Sequence, residues 1–141
     1  MKYSHKLSDA IHVLTYIGIS NSSTDLSSRA IASSIDSNPS LVRRLMATLS
    51  NAGLINSTPG KISLELSRPA KDISLLDVYN AIEEPELLHV DPKTNLKCIV
   101  GANIQATLSH AYDKVQQKAE QEMNNINIQE IVDGILAENK K

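Results

Sequence analysis

Residues 27–54 read SSRAIASSIDSNPSLVRRLMATLSNAGL, and this stretch decides the fold. Ser27 is a good N-cap for a helix running through Ile31 and Ala32 to about Ile35. Asp36 and Ser37 make a short turn. Asn38 caps a second helix, and Pro39 follows at its first position, where a missing N–H costs nothing. Leu41, Val42, Leu45, Met46 and Leu49 then form an apolar stripe at spacings of 3 and 4. Ser40, Arg43, Arg44 and Thr48 fall largely off that stripe, and Gly53 closes the helix. This is the pattern of a helix-turn-helix. Adjacent arginines and small polar residues at the start of its second helix suit the major groove of DNA, because Arg bridges a guanine edge or a phosphate and Ser and Asn fit close to base edges.

Outward from this stretch, residues 3–19 predict an opening helix with Leu7, Ala10, Ile11, Leu14 and Ile17 on one face. Lys2, His5 and Lys6 stand at its front end, within reach of phosphates or simply solvated. Downstream, Leu54–Leu66 changes period. Leu54 and Ile55 open a strand, Ser57–Gly60 turns, and Ile62, Leu64 and Leu66 alternate with Ser63 and Glu65. A hairpin directly after the second helix makes the unit a winged helix, with Thr58, Gly60 and Lys61 at the wing tip. Ser74–Glu84 predicts a further helix, capped by Ser74 with Asp77 completing a capping box. Its core face is Leu75, Val78, Ala81 and Ile82, and Pro85 stops it.

Residues 101–123 predict a long amphipathic helix. Ile104, Leu108, Ala111, Val115 and Ala119 recur near 4-3-4 spacing, too narrow a stripe for a central core helix and suited to pairing with a second helix. The natural partner is the same helix of another subunit. A short final helix follows through Ile128, Ile131, Val132 and Ile135. The expected fold class is therefore mainly α: a winged helix-turn-helix with a small two-stranded β wing, plus a long C-terminal dimerisation helix. The expected division is a DNA-binding domain over 1–84, a connection over 85–100, and the dimerisation helix with the short final helix over 101–141.

Composition narrows the function. The chain has 141 residues, no Phe or Trp and four Tyr, so its core is aliphatic, which argues against a stacking surface for single-stranded nucleic acid. The net charge of −2 hides an asymmetry. Residues 1–71 hold 8 Lys/Arg against 4 Asp/Glu, and residues 72–141 hold 6 against 12. A basic first half joined to an acidic second half fits a DNA-binding head on a protein-facing body. The opening MKYSHKLSD lacks the apolar run of a signal peptide, and no stretch approaches a membrane span, so the expected location is cytoplasmic, with no membrane partner. No glycine-rich phosphate loop, metal-ligand spacing or nucleophile–base pair stands out, which argues against an enzyme. A rival reading is a winged-helix interaction module that works through a protein partner rather than DNA. Substituting Arg43 or Arg44 by Ala separates the two.

The chain resembles the Rrf-two family of bacterial winged-helix transcription regulators over nearly its whole length. MKYSHKLSDAIHVLTYI is similar to the family's opening helix and IASSIDSNPSLVRRLMATLSNAGLI to its helix-turn-helix. STPG occupies the wing tip, DISLLDVYNAIE is similar to the helix after the wing, and CIVGANIQATL to one branch's entry into the dimerisation helix. The resemblance implies a homodimer on double-stranded DNA with a short, imperfectly palindromic operator, a habit of repression, and DNA contacts at Ser27, Ser28, Asn38, Ser40, Arg43 and Arg44, with Lys61 at the wing. Two positions depart from the family. Its wing glycine pair appears here as Ile62-Ser63, and its turn glycine is Asp36, which can still adopt a left-handed backbone.

Several members of that family hold an iron–sulfur cluster through three closely spaced cysteines before the long helix. This chain has one cysteine, Cys98. A cluster needs about four protein ligands as a rule, and His89, Asp91 and Cys98 make no convincing set. The expectation is no cluster, no zinc and no other cofactor. Cys98 falls just before the long helix, where backbone N–H groups and the helix dipole favour thiolate. It is thus a candidate sensing thiol for an oxidant signal. The competing role is a small buried core residue. A small-molecule effector remains open.

Overall fold

The structure, a computed structural model, describes residues 4–57 and 64–141. Six α-helices and a two-stranded sheet follow one another among them: α1 Lys6–Ile19, α2 Ser28–Ile35, α3 Pro39–Asn51, β1 Ile55–Ser57, β2 Leu64–Leu66, α4 Leu75–Ala81, α5 Ile99–Asn125 and α6 Ile128–Asn139, with a single 3-10 turn at Ala70–Asp72 before α4. The fold class is the expected one: mainly helical, with a small antiparallel wing. Lys2 and the wing-tip residues Thr58, Gly60 and Lys61, together with Ile62-Ser63, lie outside the described residues.

The ends of α2 and α3 are set by local chemistry. Ser27 Oγ accepts from Ala30 N at 3.1 Å and Asn38 Oδ1 from Leu41 N at 2.8 Å, so each helix starts on a side-chain cap. After α2, Asp36 takes a left-handed backbone with φ 61° and ψ 47°. Ser37 N reaches back to Ala32 O and Asp36 N to Ser33 O, the paired bonds of a Schellman stop. Gly53, at φ 78°, ends α3 the same way, with Leu54 N on Leu49 O and Gly53 N on Ser50 O. Leu54 and Leu49 are both buried, which adds the apolar contact this stop favours.

One aliphatic core joins these elements. Ala10, Val13, Leu14 and Ile17 of α1 meet Ile31 and Ala32 of α2, then Val42, Leu45 and Leu49 of α3. The wing closes over them through an antiparallel ladder pairing Ile55 with Leu66 and Ser57 with Leu64. Leu41, expected on the buried stripe, is instead 37% exposed. It stands on the first turn of α3, on a groove that it shares with His5, Lys6 and Asp9 at the start of α1.

α4 carries the expected capping box: Asp77 N donates to Ser74 Oγ and Ser74 N to Asp77 Oδ2. Asp77 Oδ2 also receives Arg68 Nη2 at 2.9 Å. The helix ends at Ala81 rather than at Pro85. Glu83 turns left-handed at φ 53°, with Glu84 N on Tyr79 O and Glu83 N on Asn80 O, so a third Schellman stop precedes the proline.

The last two helices behave differently from each other. α5 begins at Ile99, two residues earlier than expected, and spans about 40 Å at 1.5 Å per residue. It buries one side chain, Gln116. α6 returns to the head. Ile128 and Val132 lie in the same core as α1, and α6 packs along α1. A short bridge fixes the return: Leu75 N donates to Ile126 O at 2.8 Å and Ile128 N to Ile73 O at 2.9 Å. The buried faces of α6 and of the winged helix are therefore one surface, although the sequence grouped α6 with the dimerisation helix.

Candidate nucleic-acid interface

Seating α3 on the core through Val42, Leu45 and Leu49 leaves its opposite face to solvent. Ser40, Arg43, Arg44, Ala47 and Asn51 are all exposed there. Among the described residues neither Arg43 nor Arg44 pairs with a carboxylate, so both charges are available to a ligand. Arg43 Nη2 donates to Ser40 Oγ at 3.2 Å.

A cleft of about 440 Å³ runs between α2, α3 and the wing. It is lined by Ser28, Arg43, Met46, Ala47, Asn51 and Leu64, among others. The structure thus brings Ser28, Ser40 and Arg43 together. A second groove, about 560 Å³, separates the start of α1 from α3. His5, Lys6, Asp9, Leu41, Arg44 and Thr48 line it. Lys6 Nζ also donates to Ile82 O at 3.3 Å, tying the front of α1 to the end of α4. Arg44 accordingly faces different company from its neighbour Arg43.

Ser27 and Asn38 are exposed, but each spends its side-chain acceptor on its own helix cap. What they still offer outward is a hydroxyl donor and an amide NH2, with one acceptor lone pair left on each oxygen. Two further residues share this surface. Ala47 and Asn51 continue the α3 face one and two turns beyond Arg43, and their signal was the same off-stripe periodicity that marked the arginines. Arg29 is exposed on the first turn of α2. Hydrogen bonds from the backbone and side chain of Ser27, and after them the Arg29 charge, hold the Asp25 carboxyl below its ordinary value.

Cys98 is exposed and is the N-cap of α5. Among the described residues of its own subunit nothing buries it, so Cys98 is not a core residue there. No cap hydrogen bond closes on it, yet the Gly101 backbone N–H, and then that of Val100, hold the thiol below its ordinary value. The segment before it folds as a hook on the first turn of α5. Cys98 N donates to Asn95 O, Lys97 N to Asn95 Oδ1, and Thr94 Oγ1 to Gly101 O. A Cβ at Gly101 would run into the Asn95 carbonyl, so only glycine admits the hook.

The candidate dimerisation residues lie along α5. Val115 is 49% exposed, Ala111 is exposed, and Ile104, Leu108 and Ala119 are half-buried. At the start of the same helix Ile99 is 82% exposed and Val100 62%. Among the described residues no helix is long and apolar enough to cross a membrane.

A helix-turn-helix with a β wing, its second helix presenting two exposed arginines, defines a winged-helix DNA-binding protein. The Rrf2 family, described as iron-dependent transcriptional regulators, matches residues 3–134, and the chain belongs to it. YwnA of Bacillus subtilis (strain 168), provisionally named an HTH-type transcriptional regulator, is 34% identical over 132 residues, 93% of this chain and 97% of its own length. A crystal structure of a protein provisionally described as DNA-binding is 33% identical, with a TM-score of 0.71 over 89% of this chain and 97% of that one. CymR, the global cysteine regulator of B. subtilis, shares the fold at 15% identity, with a TM-score of 0.68 over 94% of this chain and 97% of its own.

The family's description implies iron. The residues of this chain do not fit it: among the described residues no three His, Cys, Asp or Glu side chains converge, and the one thiol stands alone at a helix cap.

Proposed function

We propose that the chain is a homodimeric, sequence-specific repressor that occupies an imperfectly palindromic operator with its two α3 helices about one helical turn apart. The observation that carries this reading is the polar face of α3. A cationic, uncovered helix face beside a wing has the shape and charge to enter a major groove. Ser27, Ser28, Asn38, Ser40, Arg43 and Arg44 would make the contacts, with Lys2 and Lys61 as further phosphate ligands outside the described residues. Dimerisation through α5 is supported by how little of that helix its own subunit covers. Ile104, Leu108, Ala111, Val115 and Ala119 would form the seam. Such a protein works in the cytoplasm.

Cys98 is the proposed sensing thiol. It is exposed, its thiolate is favoured, and it sits where the connection to the head enters the helix proposed to join the subunits. Modification there would disturb the Asn95–Gly101 hook and, through it, the spacing of the two heads.

The test is binding to the DNA upstream of the protein's own gene, at two salt concentrations, before and after mild diamide or peroxide. Specific binding that weakens in Arg43→Ala, falls on oxidation, and survives oxidation in Cys98→Ser is the expected result. Binding indifferent to oxidation removes Cys98 as the sensor and leaves the DNA-binding reading intact. Binding that is purely salt-sensitive and sequence-blind counts against self-regulation.

A further inference from the structure

The two arginines of α3 are adjacent in sequence but differ in everything around them. Successive residues on a helix are about 100° apart, so Arg43 and Arg44 leave α3 in different directions. Arg43 lies in the cleft with Ser28 and Ala47. Arg44 lies in the groove with His5, Lys6 and Asp9. Building on the DNA-binding reading, we propose that Arg43, held by Ser40, reads a base pair, while Arg44 neutralises a backbone phosphate from the groove between α3 and the start of α1.

The Ser40 contact is the first argument. Its hydroxyl accepts one Nη2 hydrogen of Arg43 at 3.2 Å, one turn back along the same exposed face. A free arginine loses substantial rotamer entropy on docking. A tethered one has lost part of it beforehand, which is where preorganisation gains affinity. The tether uses one of five N–H donors, leaving enough for the O6 and N7 of a guanine. Ala47 stands one turn further on, and its small side chain leaves the guanidinium room to approach a base edge. Ser40 is thus a positioning residue, acting through Arg43.

Arg44 has different surroundings. No hydrogen bond among the described residues orients its guanidinium. Its groove holds two further basic side chains, His5 and Lys6, against one carboxylate, Asp9. Lys6 Nζ donates to Ile82 O, which uses one of its three N–H donors and leaves two for a ligand. Such a groove attracts an anion by charge and offers no set of fixed, directed donors to match a base edge. Phosphate contacts position a protein on DNA, whereas base contacts specify the sequence.

Selection from a random duplex pool gives the site the wild-type dimer prefers. Affinity for that site and for each single base-pair substitution of it is then measured between 50 and 200 mM salt, roughly the range over which counterion release is resolved. We expect Arg43→Ala to lose about 10- to 100-fold on the preferred site and to lose discrimination at one base pair per half-site. Arg43→Lys should keep the salt slope and lose most of that discrimination, because a point charge does not reproduce the planar fork. Ser40→Ala should lose about threefold at the same base pair, and Ser40→Thr should restore it. Arg44→Ala should weaken all sequences alike and lower the salt slope by about one per subunit.

All three side chains are exposed, so unchanged thermal melts check that the variants fold. The proposal is overturned if Arg44→Ala changes base preference, if Arg43→Ala shifts only the slope, or if Ser40→Ala leaves discrimination at the Arg43 base pair intact. A wild-type protein that selects no sequence overturns the specific-DNA reading itself, and the proposal with it. A selected site with an unchanged profile in Arg43→Ala overturns the proposal alone.

Discussion

Asp36 holds the one backbone conformation on which the helix-turn-helix depends. At φ 61° its carbonyl crowds its own Cβ, a strain of about 1–2 kcal/mol for most L-residues that Asp and Asn bear better than others. Asp36→Ala keeps the φ requirement and removes the polar side chain that tolerates it. It should therefore destabilise by about 1 kcal/mol, while Asp36→Gly should match or exceed the wild type. Urea midpoints for the three proteins check this, and an Ala variant as stable as the Gly variant would show that the turn relaxes to another geometry. Cys98 makes a second prediction at this scale. The amides of Gly101 and Val100 stabilise its thiolate, so the reactive form persists to lower pH than in an ordinary thiol and is lost as pH falls through the depressed pKa. Alkylation by iodoacetamide followed against pH should reach half its maximal rate at a lower pH than the value for an unstructured cysteine peptide in the same buffer. A midpoint at or above that value would show that the cap does not act on the sulfur.

At the scale of elements, the telling contact is between α4 and α5. Tyr79 Oη donates to Pro85 O at 2.6 Å and accepts from Gln116 Nε2 at 3.0 Å, and Gln116 Oε1 accepts from Leu87 N at 3.0 Å. This chain of bonds is the buried polar link that ties the long helix to the head. Tyr79→Phe keeps the ring in the core and leaves Gln116 Nε2 and Pro85 O without that partner. It should cost about 1–3 kcal/mol. Amide exchange should also rise along α5 around Gln116 while α1–α3 stay protected. Uniform loosening of the whole head would instead make Tyr79 a general core residue. The same contact shows where sequence reading stops. The caps at Ser27, Asn38 and Ser74 were legible because donor and acceptor lie three residues apart. The stop at Asp36 was legible because few residues tolerate its backbone. Tyr79 and Gln116 are 37 residues apart, and no local pattern pairs them. The return of α6 was hidden likewise, since its bridge to Ile73–Leu75 is made by backbone atoms that carry no residue signature. Leu41 misled the periodicity: it sits on the apolar stripe, but at the first turn of α3, where only a groove lies beneath it. Among site residues, Arg43 and Arg44 were visible as a pair. Their separation into two environments needed the start of α1 folded against α3.

For the whole molecule the central question is what covers α5. A helix of 27 residues that buries only Gln116 contributes little to a solitary subunit, since helix stability in water comes mainly from packing an apolar face. Val115 is the most informative position on it. It is about half exposed and belongs to no part of the head's core, so a charge there is harmless to an isolated subunit. In a seam between two α5 helices, two copies of Val115→Glu would bury like charges near each other, a penalty of several kcal/mol that no partner charge offsets. Sedimentation should show wild-type dimer and Val115→Glu monomer, with unchanged helical content in the head. DNA binding should then drop from operator-specific to the weaker level of a single half-site, because two linked heads raise each other's effective concentration on the DNA. A Val115→Glu protein that stays dimeric would move the seam to another surface, and the exposed Ile99 and Val100 at the start of α5 would be the next place to put the charge.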